Sequence, residues 1–413
     1  MIMTRLAVPT GIAALVASAI PVVASPHASQ RPRDVGRGDI ISAQKIRDIP
    51  RNGVSRRLER DGWDASRVRF GVTAYRVVYR TVDVAGKPTR ASGLVVLPRS
   101  QRHRLRLVSY AHGTTSYKPD VASNLSNDFV VSPALSYGSA GFAAASPDYL
   151  GLGKGPGTHP WMHVSSETTA SIDMLRATRE LVRRQGRALH KGVYLTGFSQ
   201  GASAALGTAR RLQRVPHRWF HVGAAGAISG AYDLADVEVP AMLEGRLDPK
   251  MAVAYAAYLL VAWDRIYDLY ASPSELVKQP YADRIEGLFD GTTPGQDMLA
   301  ALPDTLDDLL TARGHRSFAH PSMRLRRAMR TADSVCKNWR PRRPIRLFVA
   351  RDDEQAASAN TSSCSHSFRE SGATAPITRL GTPDYDGSRH LGSNVAGTAA
   401  TMRWFLRLDE LHR

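Results

Sequence analysis

The sequence predicts an α/β protein: a mostly parallel central sheet, helices on both faces, and a helical segment inserted between two strands. Three observations carry this. Short apolar runs alternate with segments of helical spacing from Phe70 to the C-terminus, the pattern of parallel strands joined by crossover helices. Residues 236–337 break that rhythm with helical patterns and no convincing strand. The stretch VYLTGFSQGASAA, Val193–Ala205, reads as strand, tight turn and small-residue helix.

The chain has 413 residues, 43% of them hydrophobic and 22% charged. That is ordinary globular composition, sufficient for a full core without metal or dense disulfide support. At the N-terminus Arg5 precedes an apolar run, Leu6–Val23, that ends in small residues. This predicts a signal peptide over 1–24, cleaved after Ala24. A retained membrane anchor is the alternative; Pro9, Gly11, Pro21 and a length at the lower limit for spanning weigh against it. The protein is therefore expected to be secreted, extracellular or periplasmic, with a loose polar arm from residue 26 to about 40. The two cysteines, Cys336 and Cys364, would pair in an oxidising compartment; two buried free thiols are the alternative.

The core is expected in two parts, 25–235 and 338–413, flanking the helical cap at 236–337. Phe70–Val84 alternates as a strand, turns at Gly86-Lys87-Pro88, and pairs with Ala91–Leu97. Leu105–Ala111 is a buried strand ending at His112-Gly113, and Gly141–Ser146 is another ending at Pro147-Asp148. Thr168–Arg184 has helical spacing. Val193–Thr196 runs into the Ser199 turn, Ala202–Leu212 forms a helix, and Val222–Ile228 is a strand. After the cap, Ile345–Ala350 and Ile377–Leu380 are strands and Val395–Leu408 closes the chain as a helix. Within the cap, Met251–Tyr270 is rich in Ala, Leu and Tyr, which suits either a lid helix lining an acyl pocket or a buried helix of the cap.

Gly197-Phe198-Ser199-Gln200-Gly201 is weak as a motif by itself, but its strand–turn–helix setting is that of a nucleophile elbow. Such a turn strains the serine backbone, so flanking glycines relieve crowding, and the following helix N-terminus aims partial positive charge at a developing oxyanion. A serine hydroxyl needs a base, and the base a carboxylate to orient it. In the order serine, acid, histidine, Asp352 and Asp353 follow the strand ending at Ala350, and His390 lies in a loop before the last helix. His366 follows the acid too closely, and His159 and His163 precede the serine. Backbone N–H groups of Gln200 and of Thr114, after the Gly113 turn, would form the oxyanion hole, with His112 orienting that loop.

These residues, with Arg90–Pro98, Tyr110–Thr114, Asp148–Gly153, His159-Pro160 and Gly230–Leu234, make the chain from about residue 68 onward resemble the secretory-lipase family. That is the lipase-A-like group of secreted lipases and esterases with the α/β-hydrolase fold. The resemblance implies carboxylic ester hydrolysis with Ser199 as nucleophile, Asp353 as acid and His390 as base, beneath a helical cap. The family usually has Gly-x-x-Asp after the acid strand, where this chain has Ala350-Arg351-Asp352-Asp353. Spacing selects Asp353 and leaves Asp352 open, with Asp384 and Asp386 as outside candidates. Asp148 and Tyr149 match the family and are expected to fix the loop at the rim of the site.

No metal or organic cofactor is expected, since the sequence contains neither a zincin helix, a P-loop nor a dinucleotide fingerprint. The net charge of +18 and pI of about 10.3 come from scattered arginines without the aromatic interleaving of nucleic-acid modules. Anionic membrane or cell-wall surfaces fit better than nucleic acid, as does a coding bias towards arginine. The expected substrate is a lipid or another ester. The rival readings are a serine peptidase or acyltransferase on the same fold, and a non-catalytic basic protein that binds cell surfaces.

Overall fold

The computed structural model describes residues 36–411. The expected signal peptide and the arm up to residue 35 lie outside the described residues. Residues 36–40 do not form a loose arm: the Arg37 guanidinium meets the buried Asp173 carboxylate at 3.0 Å, and a strand begins at Ile40.

In chain order the first half contains β1 (Ile40–Ile49), α1 (Arg51–Arg60), β2 (Val72–Val82), β3 (Pro88–Pro98), β4 (Arg104–Ala111), α2 (Asp128–Ala140), β5 (Ala143–Pro147), α3 (Val164–Arg184), β6 (Ala188–Phe198), α4 (Gln200–Arg214) and β7 (His221–Ile228). After a π-turn, Leu234–Glu238, the insertion carries α5 (Val239–Leu243), α6 (Pro249–Tyr267), α7 (Ile285–Leu288), α8 (Gly295–Ala301), α9 (Leu306–Leu309), α10 (Ala312–Ala319) and α11 (Met323–Ala332). The chain then returns to the sheet with β8 (Ile345–Val349), α12 (Ala359–Glu370), β9 (Ile377–Arg379) and α13 (Arg389–Leu411).

The nine strands form one sheet in the order β1-β2-β3-β5-β4-β6-β7-β8-β9. The β1–β2, β2–β3 and β3–β5 pairs are antiparallel; every pair from β5–β4 to β8–β9 is parallel. Period-two alternation sends neighbouring side chains to opposite faces. In β3, Val95 and Leu97 join the core shared with α3, α4 and α6, whereas Leu94 and Val96 join the core shared with α1, α2 and α13. A strand covered on both faces reads as a continuous apolar run, and β3 is buried from Ala91 to Pro98.

The insertion contains no named strand between β7 and β8, only an isolated bridge, Val277 to Leu310. Its longest helix, α6, starts at Pro249 behind Asp248, whose carboxylate accepts the Met251 N–H at 2.9 Å. Ala252 to Trp263 is buried apart from Tyr255. A disulfide joins Cys336, just after α11, to Cys364 in α12, with Cα atoms 5.1 Å apart. No helix among the described residues is long and apolar enough to cross a membrane.

Candidate active site

The parallel strands aim their C-terminal ends at one crevice, and β4, flanked by β5 and β6, is where the strand order reverses. That is the place where open α/β sheets bind ligands. β6 ends at Phe198, and Ser199 takes φ 54° and ψ −122°, a left-handed conformation unusual for a side-chain-bearing residue. The turn is held by its neighbours. Ser199 N–H donates to the Ile228 carbonyl at 2.9 Å. A Cβ on Gly197 would lie 2.1 Å from the Gly201 carbonyl oxygen, and one on Gly201 would lie 2.0 Å from that of Ala111. Both glycines are thus fixed by close backbone approach.

His390 stands in the first turn of α13. Its Nε2 lies 2.9 Å from Ser199 Oγ, and its Nδ1 lies 2.9 and 3.0 Å from the two Asp353 oxygens. With Nδ1–H donated to the carboxylate, Nε2 is the acceptor for the Ser199 hydroxyl. Burial works to raise the Asp353 pKa, but the imidazole's charge and hydrogen bond and the Ala356 and Gln355 N–H groups outweigh it, and the carboxyl sits below its ordinary value. Burial pulls the His390 pKa down, and Asp353, then Glu354 and Glu238, more than reverse this, leaving it above the ordinary imidazole value.

The structure separates the neighbouring carboxylates. Asp352 is exposed and pairs with Arg389 at 3.3 Å. Asp384 accepts the Gly387 N–H, and neither it nor Asp386 has a hydrogen bond to His390 among the described residues. His366 faces outward towards Glu370.

Thr114 lines the same cavity as Ser199 and His390. Among the described residues neither the Thr114 nor the Gln200 N–H has a hydrogen-bond partner. The Thr114 hydroxyl accepts from the Trp161 indole N–H at 2.9 Å. Gly113 is required by proximity: a Cβ there would meet the Phe198 ring at 2.9 Å. The His112 ring bonds its own loop through the Gly113 carbonyl at 2.7 Å, and the Tyr149 hydroxyl donates to the His112 carbonyl at 3.0 Å. Asp148 accepts from the Ser92 and Ser123 hydroxyls, each at 2.6 Å. It thus ties β3 to the turn at Ala122–Asn124 and has no hydrogen bond to Ser199 among the described residues.

Behind the elbow lies a buried polar cluster whose assembly the motifs do not announce. The Gln200 side-chain amide donates to Glu167 at 2.7 Å and contacts His159 Nε2 at 2.8 Å, while His159 Nδ1 bonds the Leu150 carbonyl. Burial pushes Glu167 up to about 8 and His159 down to about 3. Its sequence signs are His159, in the His159-Pro160 pair, and the polar residue after the nucleophile, which needs polar company once buried; nothing local marks Glu167.

Above the serine is a cavity of about 470 Å³ lined by Phe129, Met251, Tyr255, Tyr258, Phe289 and Met298, a volume typical of small-molecule sites. α6 forms one wall. Tyr258 stacks between Trp161 and Phe289, with ring centroids 4.9 and 4.6 Å away. The α6 helix lines the cavity and is also buried in the core. A second, small apolar recess opens at Ser199, Gln200 and Thr114, and Tyr255 lines both spaces. Among the described residues no group of three or more His, Cys, Asp or Glu is placed to hold a metal ion.

A mostly parallel sheet with a strained serine turn after one strand, and with an acid loop and a histidine after later strands, is the α/β-hydrolase fold. The rice cell wall degrading esterase LipA from Xanthomonas oryzae superposes with a TM-score of 0.76 at 24% identity, covering 91% of this chain and 98% of that one. A Legionella pneumophila protein gives 0.80 at 22% identity, over 90% and 98%. Candida antarctica lipase A gives 0.57 at 14% identity, over 84% and 77%. At these identities the likeness establishes the fold. No family model matches the sequence, and no curated protein does.

Proposed function

We propose that the protein is an exported serine hydrolase that cleaves carboxylic esters through an acyl-enzyme on Ser199. The observation that carries this is the 2.9 Å contact between Ser199 Oγ and His390 Nε2 at a strained turn facing an apolar cavity. His390 removes the hydroxyl proton as Ser199 attacks the ester carbonyl. The tetrahedral oxyanion rests on the Thr114 and Gln200 N–H groups, whose lack of partners among the described residues suits that role. The protonated imidazole, stabilised by Asp353, passes its proton to the departing alcohol, and water activated by the same nitrogen releases the acid.

Lipid or other carboxylic esters suit the aromatic and aliphatic lining, and residues 236–337 act as the cap over them. The solved neighbours whose names include esterase or lipase support this chemistry by analogy of fold. A peptidase or an acyltransferase would use the same three residues. An acyltransferase is distinguished by transfer to an added alcohol exceeding hydrolysis, and a non-catalytic surface binder by no turnover on any ester. Export through residues 1–24 is supported by the disulfide, which needs an oxidising compartment.

The basic charge serves an anionic membrane or wall surface. Arg326, Arg327 and Arg330 share one outward face of α11 with Met323, which is 89% exposed.

The deciding experiment is hydrolysis of p-nitrophenyl esters from acetate to palmitate by the mature protein beside Ser199→Ala. Turnover that disappears in the variant supports the proposal, and the preferred chain length separates esterase from lipase. Equal rates in the two proteins would remove Ser199 as the nucleophile.

A further inference from the structure

Four consecutive residues after β8 all hold the segment Ser388–His390 that carries the histidine. Asp352 pairs with the Arg389 guanidinium, and Asp353 holds the His390 ring. Glu354 accepts the Arg389 N–H at 3.2 Å, the His390 N–H at 3.3 Å to each oxygen, and the Ser388 hydroxyl. Gln355 donates to Ser388 Oγ at 3.2 Å and to Glu354 at 3.3 Å.

The first N–H groups of a helix have no partner within it, and a carboxylate there is favoured by the helix dipole. Glu354 fills that place for α13, at the very residue whose imbalance would move the imidazole. Ser388, held by Glu354, in turn accepts the Leu391 N–H at 3.1 Å. The grip extends to the cavity wall: the Tyr255 hydroxyl of α6 donates to Gln355 Oε1 at 2.8 Å, and the Asp248 N–H donates to the Glu354 carbonyl at 2.7 Å.

On the reading of Ser199, His390 and Asp353 as the reacting groups, we propose that Glu354 is a positioning residue. It aims the His390 imidazole at Ser199 by clamping the first turn of α13, and Gln355 ties that clamp to the cavity wall at Tyr255. Asp353 fixes the ring at Nδ1 and the Ser393 hydroxyl holds the His390 carbonyl at 2.7 Å, but neither holds the His390 N–H. Glu354 fixes the other end. A shift of about 1 Å at a reacting group costs on the order of 10²-fold in rate, so the clamp matters even though Glu354 touches no substrate.

The charged groups bearing on His390 are Asp353, Glu354 and Glu238, with the Asp352–Arg389 pair at the rim. Removing Glu354 therefore weakens two things at once: the aim of the ring and the negative field that favours its protonation.

The test compares Glu354→Ala and Glu354→Gln with the parent and Ser199→Ala on a soluble p-nitrophenyl ester, reading kcat, KM and the pH dependence of kcat/KM. Thermal unfolding is run on each. Glu354→Ala is expected to lower kcat roughly 10- to 100-fold with KM little changed, and to move the acidic limb of the profile to lower pH. Glu354→Gln keeps one acceptor oxygen, so it is expected to fold, to recover part of kcat, and to retain the shifted limb. Parent-like kcat and pH limb in a folded Glu354→Gln would overturn the clamp while Ser199-dependent turnover stood. Turnover that persists in Ser199→Ala would instead overturn the site reading itself.

Discussion

His390 gives one ring proton to both oxygens of Asp353, at 2.9 and 3.0 Å. A symmetric bond of this kind locks the tautomer in which Nε2 is free to accept from Ser199. Asp353→Asn is expected to lose about 10⁴-fold in kcat with the fold intact, because an amide can present a donor to Nδ1 and reverse the tautomer. Asp352→Asn, which removes only an exposed pair with Arg389, should stay near the parent rate. Steady-state kinetics of the two variants decides between adjacent aspartates.

The same geometry sets the pH response. Asp353 and its neighbours hold the His390 pKa above the ordinary imidazole value of about 6.5. A base must be neutral to act, so kcat/KM should rise with pH along a limb centred above that value. In Asp353→Asn the limb should move down. A parent profile already flat from pH 5 upward would contradict the arrangement.

Glu167 gives a stability prediction with a definite sign. Burial lifts its folded pKa from 4.5 to about 8. Between those values the folded state holds a proton that the unfolded chain has released, so stability falls as pH rises. Glu167→Gln keeps the acceptor for the Gln200 amide and cannot ionise. Denaturant titrations at pH 5 and pH 8 should show a smaller loss of stability on going alkaline in Glu167→Gln than in the parent.

The Cys336–Cys364 bridge closes a loop with a sequence separation of 28. The chain-entropy account gives about 3–4 kcal/mol for a loop of this size. A double Cys→Ser variant should unfold at correspondingly lower denaturant, and reduction of the parent should reproduce the shift. Identical midpoints would mean that packing around α12 already does the work.

Binding to an anionic surface should depend on α11. Arg326→Glu, Arg327→Glu and Arg330→Glu together are expected to abolish co-sedimentation with vesicles containing phosphatidylserine at low salt while leaving hydrolysis of a soluble ester unchanged. The parent's own binding should weaken as salt rises. Retention of the triple variant on such vesicles would move the attraction elsewhere on the surface.

Much of the fold was legible because its strands are short, apolar and punctuated. Val222–Ile228 and Ile345–Ala350 lie within a residue of β7 and β8. Ser199 reads as the turn after one strand, Asp353 or Asp352 as following another, and His390 as a loop residue; the structure brings Ser199, Asp353 and His390 together and starts α13 earlier, with His390 in its first turn. The misses have physical causes. β1 is an edge strand exposed along most of its length, with Gln, Lys, Arg and Asp in it, so it showed no apolar alternation. α2 is buried on nearly every side and carries Pro133 and Gly138. A helix of that kind has no amphipathic stripe to read. The Gln200–Glu167–His159 cluster and the Glu354 clamp depend on residues between 33 and 41 positions apart, and no local pattern encodes such meetings.

The run Asp352–Gln355 works as a short row of pins in register with Ser388–His390. Exchanging one pin disturbs that residue's own contacts alone, at a cost that runs from slight at Asp352 to about 10⁴-fold in rate at Asp353. A single residue added or deleted between Ala350 and Gln355 would slip the whole row, so that every pin faced the wrong partner at once. The loop should thus accept a change of spelling at Asp352, but no change of length.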